Sequence, residues 1–215
     1  QTLVGLSIGG WLFLLASGLT LIFGVMEVLN FAHGALFMVG AYASIEVAKA
    51  VPGGFLVGVL AAALVVGFVG VIIEMGFLRR IYDRDELDQL LLTFAFVLLI
   101  TEGIRFTFGS QSRLTPPPDL LKGTIVLTDS VSIGAYRGFL IVASVLVLGG
   151  ILLALRTTNF GRLVRATSSD RDMALLLGIN VPRLYTAVFL IGTALAGLGG
   201  ALYAPITSVT PALGN

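Results

Sequence analysis

Long uncharged runs of apolar residues recur along the chain, separated by short polar segments. Leu3–Phe23, Gly54–Ile73, Gly138–Leu155 and Leu184–Ile206 hold 21, 20, 18 and 23 residues without a charge. Leu90–Gly109 is equally apolar, with Glu102 and Arg105 at its far end, where a spacing of three on one helix lets them pair. Phe31–Ile45 is uncharged but short, and extends to about Ala50 if Glu46 and Lys49 lie at an interface. About 20 apolar residues cross a hydrocarbon core. Lipid satisfies no backbone polar group, so segments of this length span as helices. The pattern predicts six membrane helices in an all-α polytopic protein. Thr124–Thr128 and Ser130–Ile133 are β-prone and read as a small hairpin in a polar loop that also holds Pro116, Pro117 and Pro118.

Composition agrees. Apolar side chains make up 57% of 215 residues, charged ones 12%, and the mean hydropathy is +1.02. A soluble domain carries about twice that share of charge. The charges are concentrated: residues 78–89 hold Arg79, Arg80 and Arg84, and residues 156–183 hold Arg156, Arg162, Arg165, Arg171 and Arg183. Short basic loops stay on the cytoplasmic side. The longer loop 110–137 is then external, the N-terminus is outside, and the turn at 24–30 is on the inner side. A net charge of +1 leaves no nucleic-acid footprint. The absence of cysteine excludes thiol chemistry, and a single histidine excludes any two-imidazole metal site. No basic leader or starting Met marks a signal peptide. Both ends are apolar and read as cuts through a longer protein.

Two features ask for chemistry. Asn30-Phe31-Ala32-His33-Gly34, preceded by Glu27, joins two apolar segments and gathers polar groups near membrane depth. A broken helix there frees backbone groups that only protein or a water-filled cavity can meet, and an intramembrane His or Glu is a functional candidate. The plain alternative is a helix–helix turn with Asn30 as N-cap, His33 bonded to a backbone carbonyl and Glu27 in solvent. The second feature is the segment 157–182. Ser169 and Asp172 form an [ST]-x-x-[DE] box, Asp170 and Asp172 suit a first helical turn, and Gly178 suits a left-handed stop before Pro182. This predicts a helix of about eight residues, ended at Gly178 and capped by Ser169, with Arg162 and Arg165 just upstream toward headgroups or water. It is an interfacial helix or a docking helix for a soluble partner. Gly5/Gly9, Gly54/Gly58 and Ala196/Gly200 are small-residue pairs that permit close helix contact. Glu74 lies near the inner end of its segment, within reach of Arg79 or Arg80.

The run from Gly18 to Tyr42, centred on Asn30–Gly34, resembles the LivH-type permease subunit of branched-chain amino acid ABC importers. The run from Gly161 to Asn180 resembles the cytoplasmic loop that this family presents to its ATPase. The resemblance covers essentially the whole chain. It implies a permease domain over 1–209, with 110–137 as external loop and 157–182 as cytoplasmic coupling loop, and 210–215 as the start of a truncated C-terminal part. It implies a pathway at Asn30, Phe31, His33 and Gly34, and coupling to an ATPase through Arg165, Ser169, Asp170, Asp172, Leu176 and Gly178. The implied partners are a homologous LivM-type permease, two cytoplasmic ATPase subunits that carry ATP and Mg, a periplasmic binding protein and the lipid bilayer of a bacterial inner membrane. The chain itself needs no cofactor or metal and is no enzyme. Two departures stand out: LivH-type chains usually continue past the position of Leu213, and at Glu27 they more often carry glycine or a basic residue.

Rival readings remain at this level. A secondary transporter would couple ions through Glu27, His33 or Glu74. A channel would need a selectivity filter, which the sequence does not display. An intramembrane enzyme would need a nucleophile–base or paired-acid arrangement, which one histidine and scattered acids do not supply. No G-x-x-x-x-G-K-[ST] loop is present, so any ATP is hydrolysed on another subunit. Related permeases serve urea, short amides and aromatic carboxylates as well as branched-chain amino acids, so the cargo stays open.

Overall fold

The computed structural model describes residues 2–51, 54–128 and 131–214; Gln1, Ser130 and Asn215, which the expectations above include, lie outside them. Among the described residues eight helices run in chain order: α1 (Thr2–Met26), α2 (His33–Ala50), α3 (Phe55–Gly76), α4 (Glu86–Phe108), α5 (Ala135–Thr157), α6 (Asn159–Ser169), α7 (Arg171–Leu176) and α8 (Val181–Tyr203). Short 3-10 turns cover Leu78–Arg80, Asp119–Leu121 and Ala204–Ile206. Strands β1 (Thr124–Thr128) and β2 (Val131–Gly134) pair antiparallel with Ile125 opposite Ile133, so the polar loop holds the expected hairpin.

Among the described residues five helices are long and apolar enough to cross a membrane: Leu3–Met26, Phe55–Arg80, Glu86–Phe108, Ala135–Thr157 and Val181–Ile206. The expected sixth, α2, does not qualify. It is 18 residues long, opens on His33, and carries Glu46 and Lys49 near its end. It is enclosed by protein: Leu36, Met38, Ala41 and Tyr42 are almost wholly buried.

The core is built from α1, α2, α3 and α8, with α8 touching the other three; α5 lies against α1 and α4 against α2. The driving force here is close packing, because lipid is as apolar as leucine and gives no hydrophobic gain between helices. Glycine decides where the backbones meet. A Cβ on Gly40 would sit 2.4 Å from Gly197 O, and one on Gly200 would sit 1.9 Å from Phe37 O. A Cβ on Gly58 would sit 2.7 Å from the Ser44 carbonyl oxygen, so its absence lets α3 close onto α2. The first expected pair fails this test: no described atom lies within 4 Å of a Cβ on Gly5 or Gly9. Those two glycines face the outside of the bundle, which a single-sequence spacing rule cannot distinguish from a contact.

The two arginine-bearing segments share one end of the bundle. Arg171 Nη2 donates to Asp83 at 3.4 Å, and Thr186 at the start of α8 reaches Glu74 at the end of α3 at 2.9 Å. The opposite end holds the 110–137 loop, where Arg113 pairs with Glu46 and exchanges backbone hydrogen bonds of 2.9 Å with Val209. Arg105 and Glu102 pair at 2.6 Å on an exposed face of α4.

Candidate functional site

The break begins where α1 ends. Glu27 adopts φ +56, a left-handed conformation that stops the helix, and its carboxylate is exposed. Residues 27–32 then run back into the bundle without regular structure. Their depth follows from two contacts. His33 Nε2 lies 3.0 Å from the Leu15 carbonyl, which sits near the middle of α1, eleven residues or about 16 Å from its end. Thr93 Oγ1 on α4 lies 3.3 Å from the Leu29 carbonyl, a contact shared with carbonyls of its own helix. α2 therefore starts inside the bundle.

Of the turn sketched above, the His33 bond to a backbone carbonyl and the exposed Glu27 are present, but Asn30 is not the cap. The N-cap position is Ala32, and no side chain among the described residues caps it. Asn30 contributes its main-chain carbonyl to His33 N–H at 3.1 Å, while its side-chain amide has no partner among the described residues at either atom. His33 Nδ1 is likewise unpartnered. Both residues are 3% exposed. Buried polar atoms without partners are rare and call for an explanation. They stand beside a cavity of about 300 Å³ lined by Leu15, Leu19, Leu29, Asn30, Phe31, His33 and Gly34. The four pathway candidates thus converge on one cavity, with Phe31 more than half exposed at its mouth. Gly34 is pressed by Gly214, whose carbonyl lies 2.6 Å from where a Cβ would stand. Leu15 and Leu19 were not singled out by sequence. They share a face of α1 at a spacing of four, but that pattern is equally that of a lipid-facing stripe.

At the arginine-rich end, three capped helices follow one another. Thr158 caps α6 by accepting from Gly161 N–H at 3.1 Å, and Asn180 caps α8 by accepting from Arg183 N–H at 3.1 Å. Between them α7 has six residues, shorter than expected, and its cap is Asp170, which accepts from Met173 N–H at 2.8 Å. Ser169 is the last residue of α6 instead. An aspartate at a cap supplies the same acceptor with a charge that also suits the helix dipole, so it displaces the serine one position earlier. The C-terminus closes as a Schellman motif: Gly178 (φ +80) donates to Leu175 O and Ile179 to Ala174 O, both at 3.0 Å. Only Ala174 of α7 is buried, whereas Leu176 is 82% exposed, an apolar knob on a short capped helix. Asp172 is exposed in its first turn, and Arg165 on α6 donates to the Leu155 carbonyl.

A buried ion pair anchors this end. The Glu74 carboxylate is fully buried and accepts from Arg79 Nε (3.2 Å) and Nη2 (3.0 Å), Tyr82 Oη (2.7 Å) and Thr186 Oγ1 (2.9 Å). Burial and this acidic neighbour push the Tyr82 phenol well above its ordinary range. Tyr82 meets Tyr185 edge to face, and the Arg171 guanidinium lies 5.8 Å from the Tyr185 ring centre. The start of α7 is thereby tied to α3 and α8. Thr186 and Tyr185 were not anticipated, because sequence spacing carries no sign that α8 returns beside α3.

A family profile described as the permease component of branched-chain amino acid transport systems matches residues 2–214. The chain belongs to the branched-chain amino acid transport permease family. The permease is 29% identical to the high-affinity branched-chain amino acid transport system permease protein LivH of Escherichia coli K12. It is 30% identical to the corresponding protein BraD of Pseudomonas aeruginosa. Each match covers 94% of this chain and 69% of the relative. The xylose transport system permease protein XylH of Escherichia coli K12 is 32% identical over 52% of this chain and 30% of its own length. No solved structure gives a significant match. The permease is a multi-pass membrane protein of a transport family, and that family is not one of enzymes.

Proposed function

We propose that this permease is the membrane subunit of an ATP-driven importer of branched-chain or related amino acids, working by alternating access in a bacterial inner membrane. A binding protein on the outer side delivers the substrate, a homologous permease completes the passage, and two cytoplasmic ATPase subunits bind ATP and Mg. The observation that carries this reading is α7: a six-residue helix capped at both ends, tied to α8 and α3, and offering exposed Leu176 at the arginine-rich end. A coupling element must favour two states unequally, and a doubly capped helix transmits a push where a loose loop absorbs it. The break at residues 27–34 supplies the pathway, with Asn30 and His33 offering polar atoms that a passing amino acid can meet. Ion coupling is less well supported: Glu74 is fully engaged by Arg79, Tyr82 and Thr186, and Glu27 is at the surface.

The test uses vesicles with the complete transporter. Uptake should persist with the proton gradient collapsed and ATP present. Gly178→Pro, which cannot adopt φ +80, should leave ATP hydrolysis running without uptake. Uptake that tracks the proton gradient and ignores ATP defeats the proposal.

A further inference from the structure

A second cavity lies at the arginine-rich end, apart from the break. It has a volume of about 280 Å³ and is walled by the end of α1 (Gly24–Glu27), the loop and helix start at Tyr82, Arg84, Glu86 and Gln89, the α6–α7 junction (Thr167–Arg171), and Tyr185 of α8. That lies just below the roughly 300–1,000 Å³ typical of small-molecule sites. It suits a free amino acid and is too small for a nucleotide.

The lining carries both signs of charge. Glu27, Glu86 and Asp170 stand with Arg84 and Arg171. Glu27 and Glu86 have no ion-pair partner among the described residues. Arg84 lies 3.8 Å from Asp88, and Arg171 lies 3.4 Å from Asp83, in a pair whose aspartate is 91% exposed, with its guanidinium 5.8 Å from the Tyr185 ring centre. Both can turn to an incoming carboxylate. An independent sign of a missing ligand is Thr167, which lines the cavity, is 3% exposed, and has a buried hydroxyl without a partner. Buried Val25, Met26 and Tyr185 supply an apolar wall for a side chain. Three acids against two arginines disfavour a phosphate or other polyanion.

We propose that this cleft binds a free zwitterionic amino acid from the cytoplasmic side and thereby slows further import. The ammonium meets Glu27 and Glu86, and the carboxylate meets Arg84 and Arg171. The consequence follows from position. The site spans the end of α1 and the Asp170 cap of α7, so an occupant fastens the coupling helix to the core in one arrangement. Its effect on transport rests on the importer reading above; its existence as a binding site does not.

Two measurements test it on the full transporter, with L-leucine as the probe. The first is equilibrium binding of labelled L-leucine to the purified complex without its binding protein. Glu27→Gln should weaken one site about tenfold, because the amide still accepts a hydrogen bond but loses the charge that faces the ammonium. 4-Methylpentanoate, which lacks the amine, and isopentylamine, which lacks the carboxylate, should not compete. The second is initial uptake by vesicles preloaded with millimolar L-leucine on the cytoplasmic side. The parent should slow several-fold, and Glu86→Gln, which lines the same cavity but lies outside the 27–34 break, should show no slowing relative to its own unloaded rate. Leucine binding that is absent, or identical in parent and Glu27→Gln, overturns the site. Binding that depends on Glu27 while uptake is indifferent to preloading overturns its regulatory role. Failure of ATP to drive any uptake in the parent counts against the importer reading instead, and leaves the binding result to decide the site.

Discussion

The crossing of α2 and α8 makes the sharpest quantitative claim about this fold. Gly200→Ala places a methyl group 1.9 Å from Phe37 O, 2.9 Å from Phe37 C and 3.0 Å from Ala41 N, all of them backbone atoms that no rotamer change can move. Ordinary contact is near 3.4 Å, so the two helices must separate locally by about 1.5 Å. Gaps of that size forfeit half or more of the dispersion energy between facing atoms. Overpacking of this kind costs about 3 kcal/mol, the upper part of its usual range. Alanine returns about 1 kcal/mol through its better helix propensity. The net expectation is about 2 kcal/mol of destabilisation, roughly a thirtyfold shift in the folding equilibrium. Gly9→Ala is the matched control: nothing described lies within 4 Å of its Cβ, so it keeps the propensity gain alone. The assay is thermal unfolding in detergent, followed by loss of the monodisperse peak in size-exclusion chromatography. About 2 kcal/mol corresponds to roughly 4–8 °C for a chain of this size. If Gly200→Ala melts with Gly9→Ala, at or above the parent, the close approach of α2 and α8 is wrong.

Three further outcomes follow. Glu74→Ala strands Arg79 and removes the acceptor shared by Tyr82 and Thr186; because the guanidinium is 35% exposed, the expected loss is about 2–3 kcal/mol, below the full cost of a wholly buried partner, measurable by the same melt. Asp170→Ala removes the α7 cap and should loosen that helix by about 1 kcal/mol, whereas Ser169→Ala should change nothing; hydrogen exchange over residues 171–177 separates the two, and equal exchange in both variants would contradict the cap assignment. His33→Ala loses the bond to Leu15 O and the ring that packs on Gly18, so uptake should fall at every pH by the same factor; an activity loss confined to one side of a pH midpoint, with expression normal, would instead give His33 a proton-carrying role.

The hydrophobic pattern was enough for the approximate extent of the five long apolar helices, because a bilayer demands a fixed length of uncharged chain and leaves helix as the only solution; it did not separate α2, which is enclosed by protein, from a span. Clustered arginines were enough to put segments 78–89 and 156–183 at one end. The Gly178 stop was legible because a left-handed C′ residue is a local requirement. Other features were not local. Whether a glycine touches a neighbour or faces outward depends on how the helices are arranged: Gly5/Gly9 and Gly200 look alike in sequence and differ completely in space. The choice between Ser169 and Asp170 as cap depended on where α6 ended, which in turn rests on its own packing. The depth of the break came from two long-range contacts, His33 on Leu15, eighteen residues away along the chain, and Thr93 on Leu29, sixty-four away. The second cavity joins four separate segments and has no signature in any one of them. Sequence set the elements because their causes are short-range; tertiary structure alone decided which polar groups were left without partners, since that depends on which segments meet.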